Sequence, residues 1–372
     1  MHLDQAMRDD LALQAQDALR SGRIDRRTFI RLAAVLGIGT AVLGRKGSAF
    51  AEDRKVVLGG WGGPSHDAYM NTFGALYNEQ RGGMLEIDGT GPTLGKIKAM
   101  VESGSTTWDI ADADADVGLI LGEQGLLEPL DYSILDREAT MPGYATEHTI
   151  GIYNYGFIIA YDSEAFGGLR PDSAADFWDT QRFPGKRAMY KWMHGMLEAA
   201  LMADGVARAD LYPLDVDRAL ASVERIRPDV SVFYGSIAEG MEALRGGEVT
   251  MAYLPNSRAQ ILEKTSNGKF GWTWSGGMAF GTGWCIPKGA PNGVEGQYFL
   301  KACQDPATQV ALLEILGLGP CNPAAFVLMN DEQKRLHPGQ PENLAQYGLN
   351  DVPWYAENYE LVLDRWIDTI SG

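Results

Sequence analysis

The 372-residue chain carries 49 Asp and Glu against 32 Lys and Arg, a formal net charge of −17 at pH 7. So acidic a chain is repelled by nucleic acid and by anionic lipid headgroups, which excludes both as partners. Three cysteines, Cys285, Cys303 and Cys321, are too few and too unevenly spaced for a disulfide framework or a CxxC zinc site, and allow one bridge at most.

The opening segment reads as an export signal. Arg26 and Arg27 precede an apolar run from Leu32 to Leu43, twelve residues long, whereas a membrane-crossing helix needs roughly twenty. Ala49 and Ala51 supply small residues at alternate positions before a cut, so cleavage after Ala51 is expected. The stretch resembles a bacterial twin-arginine signal, which Arg45 and Lys46 beside the cut also fit. Gly37, Gly39 and Gly44 weaken the alternative of an amphipathic cytosolic helix. Removing residues 1–51 leaves 321 of the 372, a length that suggests two domains, with a formal charge of about −20. No later apolar stretch reaches spanning length, so the expected product is soluble in the periplasm.

Strand and helix then alternate. "VVLGGW" from Val56 predicts a buried strand, Ser65 an N-cap, and Tyr69, Phe73, Leu76 and Tyr77 recur at helical spacing. "MLEIDGT" from Met84 predicts the next strand, and Leu94, Ile97, Lys98 and Val101 outline a helix stopping at Gly104. "WDIADA" gives a third strand and Val117 to Glu123 a helix closed by Gly125. A similar lobe follows, entered by "YGFIIAYD" (Tyr155 to Asp162); Ser173 caps the helix holding Phe177 and Trp178, and "FPGKRAMY" leads into a strand. Helices are expected around Met196 to Met202, Val216 to Ile226 and Ile237 to Leu244, then a strand over Glu248 to Leu254 and a helix from near Asn256. "GTGWCIPKGA" predicts another strand, with helical tails through Leu300, Leu312 and Trp366. The pattern is alternating α/β, without a repeat of fixed period.

Catalytic signatures are missing. In "GTGPTLGK" the glycine six residues before Gly95 is one too far for a phosphate loop, and Ile97 replaces the metal-binding hydroxyl. There is no GxSxG elbow, and His2, His66, His148, His194 and His337 stand apart without HExxH spacing. Neither metal nor cofactor is expected. Other features suit recognition. Trp61 lies between glycine pairs just past a strand end, where open α/β sheets collect ligands. Asp112, Asp114 and Asp116 recur at period two, crowding like charges about 7 Å apart on an extended chain. Asp114 or Asp116 can cap the following helix, and another of the three is then left for a cationic ligand. Tyr153, Tyr155, Trp192, Tyr253, Trp272, Trp274, Phe280 and Trp284 supply rings for a core or for an amine-binding box.

In order and spacing, the export signal, "WGGPSHDAYMNTF", "WDIADADADVGLILGEQGLLEPLD", "GFIIAYDSEAF", "FPGKRA", "GGEVTMAYLPNSRA", "GWCIPKGAPN" and "LGPCNPAA" resemble the periplasmic solute-binding proteins of ABC importers, in the spermidine/putrescine-binding branch. The resemblance spans essentially all of the chain after the signal. It implies a type II periplasmic-binding-protein fold: two α/β lobes, each a mixed sheet flanked by helices, joined by crossing strands. Lobe 1 is then expected over 52–156 and 282–322, and lobe 2 over 157–281 and 323–372. It also implies a monomer, exported by the twin-arginine translocase, that captures a small cationic solute in the cleft without catalysis. Closure around the solute would deliver it to the permease.

Carried over residue by residue, Trp61 matches the family's ring after the first strand. Asp114 and Asp116 fall where the family has a hydroxyl residue and a tyrosine, Tyr253 falls on a cleft tryptophan, and Phe280 on an aromatic. The polyamine binders' two carboxylates fall on Trp192 and Gly195, and a third on Thr282, so three expected acids are missing. The resulting ligand set is Trp61, Asp112, Asp114, Asp116, Tyr155, Trp192, His194, Tyr253, Phe280, Thr282 and Trp284. A polyamine is the first expectation. Lys191, His194 or Arg258 could instead hold an anionic end, which brings in a zwitterionic amino-acid-like compound or a phosphonate. Ferric ion ranks lower because Tyr153 and Tyr155 alternate rather than adjoin. A secreted enzyme on the same scaffold is the remaining class.

Overall fold

The computed structural model describes residues 54–372; the predicted export signal and its cleavage site lie outside the described residues. Among the described residues the strands are β1 (Lys55–Gly59), β2 (Met84–Asp88), β3 (Ile110–Ala111), β4 (Thr149–Ile150), β5 (Tyr153–Asp162), β6 (Arg187–Tyr190), β7 (Val230–Tyr234), β8 (Met251–Pro255), β9 (Phe270–Gly281), β10 (Trp284–Cys285), β11 (Gly319–Pro320) and β12 (Gly348–Leu349). They form two mixed sheets.

The first sheet has the order β2-β1-β3-β10-β4. Val56 and Leu58 bury one face of β1, and β1, β2 and β3 run parallel, linked by helices as parallel strands require. β10 is antiparallel to both of its neighbours. Val56, Leu58, Tyr69, Phe73, Tyr77, Trp284 and Phe299 fill the core beneath this sheet.

The second sheet has the order β12-β9-β5-β8-β6-β7, with β11 also pairing β5. β5 is apolar on both faces, as a central strand covered by helices must be. Beneath it lie Phe157, Ile159, Phe177, Met193, Leu197 and Tyr253. "FPGKRA" acquires a physical meaning here. Arg187 is fully buried, and its guanidinium donates to the carbonyls of Phe177 (2.8 Å), Gly185 (2.7 Å) and Phe183 (2.6 Å). It thereby satisfies a loop that no sheet ladder reaches.

Chain passes from sheet to sheet at Gly151 and Ile152, between β4 and β5, and at Thr282 and Gly283, between β9 and β10. Thr282 Oγ1 ties these crossings together: it donates to the Tyr153 carbonyl (2.9 Å) and accepts from the amides of Ile152 and Tyr153 (both 3.3 Å). Asn154 Nδ2 donates to the Pro320 carbonyl (3.2 Å), adding β11 to the bundle.

Several local expectations need correction. Ser65 does not cap its helix: the chain enters at Gly63, with Pro64 in the first turn, where a missing N–H costs nothing. That helix, Pro64–Tyr69, continues through a π turn, Met70–Gly74, into Ala75–Arg81. β7 and the twelve-residue β9 are absent from the sequence reading. Gly271, Gly276, Gly277 and Gly281 break the alternation that marks a strand, yet packing requires them. A Cβ on Gly271 would lie 2.6 Å from the Tyr161 ring, and one on Gly277 2.5 Å from the Phe157 carbonyl. The three cysteines are buried free thiols.

Candidate functional site

In the first sheet the parallel strands end at Gly59, Asp88 and Ala111, which places Trp61 and Asp112 at the carboxyl edge. In the second, β6, β7 and β8 are parallel and end at Tyr190, Tyr234 and Pro255, which places His194 and Arg258 just beyond a carboxyl edge. Ligands collect at such edges because loops and helix N-termini converge there.

The two edges meet through a ladder of three acids. Asp112 is fully buried, and its carboxylate accepts from Tyr69 Oη (3.0 Å) and Tyr153 Oη (2.9 Å). Asp114 Oδ1 accepts from Tyr155 Oη (2.7 Å). Asp116 Oδ2 lies 2.8 Å from His194 Nε2. The period-two acids are thus answered by the period-two tyrosines of β5 and then by a histidine from the loop after β6. Burial pushes the Asp112 carboxyl up to about 7 against the pull of Tyr153 and Tyr69. It pushes Asp114 up to about 6, assisted by the neighbouring charge of Asp116. Asp114 occupies the cap position of the helix Ala115–Glu123, but its carboxylate does not cap; the side chain goes to Tyr155 instead.

Trp61 is 44% exposed, and its indole Nε1 donates to the Asp112 carbonyl (3.0 Å), which fixes the ring beside the acids. Gly62 and Gly63 both have positive φ, and a Cβ on Gly62 would sit 2.7 Å from the Gly89 carbonyl. The turn that presents the ring therefore needs glycine. Phe280 backs the site: it is buried, stacks on Tyr155 (5.5 Å, 25°) and meets His194 edge-on (6.2 Å). Trp192 is half-buried, with no hydrogen bond to its indole among the described residues.

Three expected ligand residues do other work. Tyr253 is sealed in the second core and donates to the Gly276 carbonyl (2.8 Å). Trp284 is fully buried between Tyr69, Phe73 and Phe299 in the first core. Thr282 spends its hydroxyl on the crossing strands. Tyr253 and Thr282 are implied as ligands by the family resemblance and Trp284 by its place at a strand end, and neither signal distinguishes a side chain facing a cleft from one facing a core.

Arg258, in the first turn of the helix Asn256–Thr265, has neither a hydrogen bond nor an ion pair among the described residues, and burial pulls its pKa down. Its helix begins beside the ladder, since Asn256 Oδ1 accepts from the Gly156 amide next to Tyr155 (3.0 Å). Among the described residues no three His, Cys, Asp or Glu side chains are grouped to hold a metal ion, and no helix is long and apolar enough to cross a membrane.

Residues 75–334 match the family model described as bacterial extracellular solute-binding protein. The chain belongs to that family. A solved ABC transporter substrate-binding protein from Bradyrhizobium japonicum is 34% identical, with a TM-score of 0.80, over 85% of this chain and 99% of that one. A gamma-aminobutyric acid-binding protein from Pseudomonas aeruginosa is 28% identical over 86% of this chain and 92% of its own length. A solved GABA receptor is 30% identical, with a TM-score of 0.77, over 85% of this chain and 97% of that one. The expected spermidine/putrescine branch fares differently: such a protein from Streptococcus pneumoniae is 15% identical at a TM-score of 0.64, a likeness of fold alone. The two-lobed type II fold thus holds. The solute-binding chain serves an ABC transporter, taking up a small molecule for the permease.

Proposed function

We propose that the cleft captures a short amino acid whose ammonium and carboxylate stand apart, of the γ-aminobutyrate type, rather than a polyamine. The observation that carries this is the disposal of charge at the ladder. Asp112 is committed to two tyrosines and Asp116 to His194, which leaves Asp114, with one hydroxyl donor, as the carboxylate for a single ammonium. A diamine needs an anion at each end, because an uncompensated ammonium in a desolvated cleft is costly. Arg258 offers the opposite complement, a partly buried guanidinium that no acid among the described residues neutralises. Trp61 supplies a ring face for the ammonium. Two relatives named for γ-aminobutyrate support the same reading.

Calorimetric titration of the protein with γ-aminobutyrate, putrescine and butylamine tests this. Tight binding of γ-aminobutyrate alone is expected, lost in Arg258→Gln. Binding of putrescine with indifference to γ-aminobutyrate would restore the polyamine reading.

A further inference from the structure

We propose that His194 and Asp116 form a proton-controlled latch that holds the two lobes closed, apart from whatever the ligand contributes. The first two rungs of the ladder cannot play this part. Tyr153 and Tyr155 lie on β5 close to where it crosses between the sheets, and Asp112 and Asp114 meet them there. His194 belongs to the body of the second sheet, on the loop between β6 and the helix Met196–Ala203, whereas Asp116 starts the helix Ala115–Glu123 of the first. Their contact must therefore break when the lobes part. Both side chains are buried in it, at 13% and 2% exposure, so water does not screen the pair.

The surroundings are arranged to hold the ring. Tyr355 of the C-terminal helix Val352–Ser371 stacks on His194 (4.6 Å, 22°), and Tyr359 of the same helix lies 5.7 Å away. Tyr355 Oη donates to Glu198 Oε1 (2.8 Å), one turn beyond His194, and Tyr212 Oη shares that oxygen (2.6 Å). The C-terminal helix also packs along the Ala115–Glu123 helix, so it braces the latch from both sides. The titratable groups facing His194 are Asp116 and Asp114 from the first sheet's edge, Glu198 from its own helix, and Tyr355 and Tyr359.

Burial alone would drive the proton off His194, but Asp116, with Asp114 and Glu198 behind it, outweighs burial and holds the imidazole pKa above its ordinary value. Opening returns His194 to water and to an ordinary value near 6.5. Closing therefore takes up a proton when the pH lies between the two values. The latch is made below the raised value and lost as pH climbs through it.

Small-angle scattering of the ligand-free protein from pH 6 to 9 tests the latch without reference to any ligand, so an error over the solute leaves the result intact. The radius of gyration of the wild type is expected to grow with pH, and His194→Gln and Asp116→Asn are expected to show the high-pH radius throughout. Affinity for the solute should fall roughly tenfold over that range in the wild type and not in His194→Gln, the order for one charge-assisted hydrogen bond. Melting curves identify a misfolded variant, and the other variant then decides. A wild-type radius that ignores pH, or a pH dependence that survives in a folded variant, would overturn the latch.

Discussion

Replacing Asp114 with Asn separates a binding carboxylate from a structural one, because the two roles predict opposite signs. The side chain keeps its size, and its oxygen can still accept from Tyr155 Oη. Only the charge is lost. An Asp whose folded-state pKa stands at about 6, against an ordinary value near 3.9, destabilises the unliganded fold at neutral pH. The sign follows from linkage: the unfolded chain gives up its proton first, so the cost builds from about pH 4 to pH 6 and is constant above. Two units correspond to up to about 3 kcal/mol, less the screening that a partly exposed carboxylate receives from solvent. Asp114→Asn should therefore melt higher than wild type at pH 7, with the difference closing below about pH 4. Affinity should move the other way, since removing one partner of a desolvated charge pair costs about 2 to 5 kcal/mol, some thirty-fold or more in Kd. Wild-type affinity should also fall as pH drops through about 6, while the variant's stays flat. Calorimetry and differential scanning together read both signs. A variant that melts lower and binds normally would remove Asp114 from the site and make it a fold residue.

Further outcomes follow from the same geometry. Trp61→Ala should weaken solute binding by about 1 to 3 kcal/mol with little change in Tm, because nearly half of the residue is exposed; titration with unchanged affinity would return the ring to packing. Thr282→Val should lower stability by about 1 to 3 kcal/mol through loss of the crossing-strand hydroxyl; a loss of affinity at unchanged Tm would instead make it the ligand group that the family resemblance implied. Arg187→Lys should cost about 3 kcal/mol in chemical denaturation, since a lysine cannot reach three carbonyls in a fork; an undisturbed midpoint would refute the bracing role of the "FPGKRA" loop.

The α/β architecture was legible because its strands are short apolar runs with helical periodicities between them. β1, β2, β5, β6 and β8 stand where their sequences put them. What escaped was structure whose sequence signal is cancelled by packing. β9 carries four glycines because the Tyr161 and Tyr144 rings and the backbone at Ala174 and Phe157 leave no room for a Cβ, and those glycines erase its alternation. At the site, the spacing of Asp112, Asp114 and Asp116 announced crowded charge, but spacing cannot say which partner each acid finds. The alternation of Tyr153 and Tyr155 was visible in sequence too. That the two alternations face one another depends on the crossing of β5 between sheets, a contact of long range that no local pattern encodes.

If the proposed ligand set is right, charge selection at this cleft depends on partners more than on the number of acids. Three carboxylates within five residues would, free in water, make a strongly anionic site suited to a polycation. Each tyrosine hydroxyl or imidazole turned toward one of them offsets its buried charge and removes it from the ligand's reach. Asp112, burdened most by burial, receives two phenol donors and titrates near neutrality; Asp116 is matched by a histidine. On the proposed reading, the remaining carboxylate, Asp114, takes one ammonium, and a second ammonium on the same solute would meet aromatic surface or Arg258 instead. On that reasoning a site rich in acids discriminates against polyamines, and loss of the His194 partner should relax the discrimination by freeing Asp116.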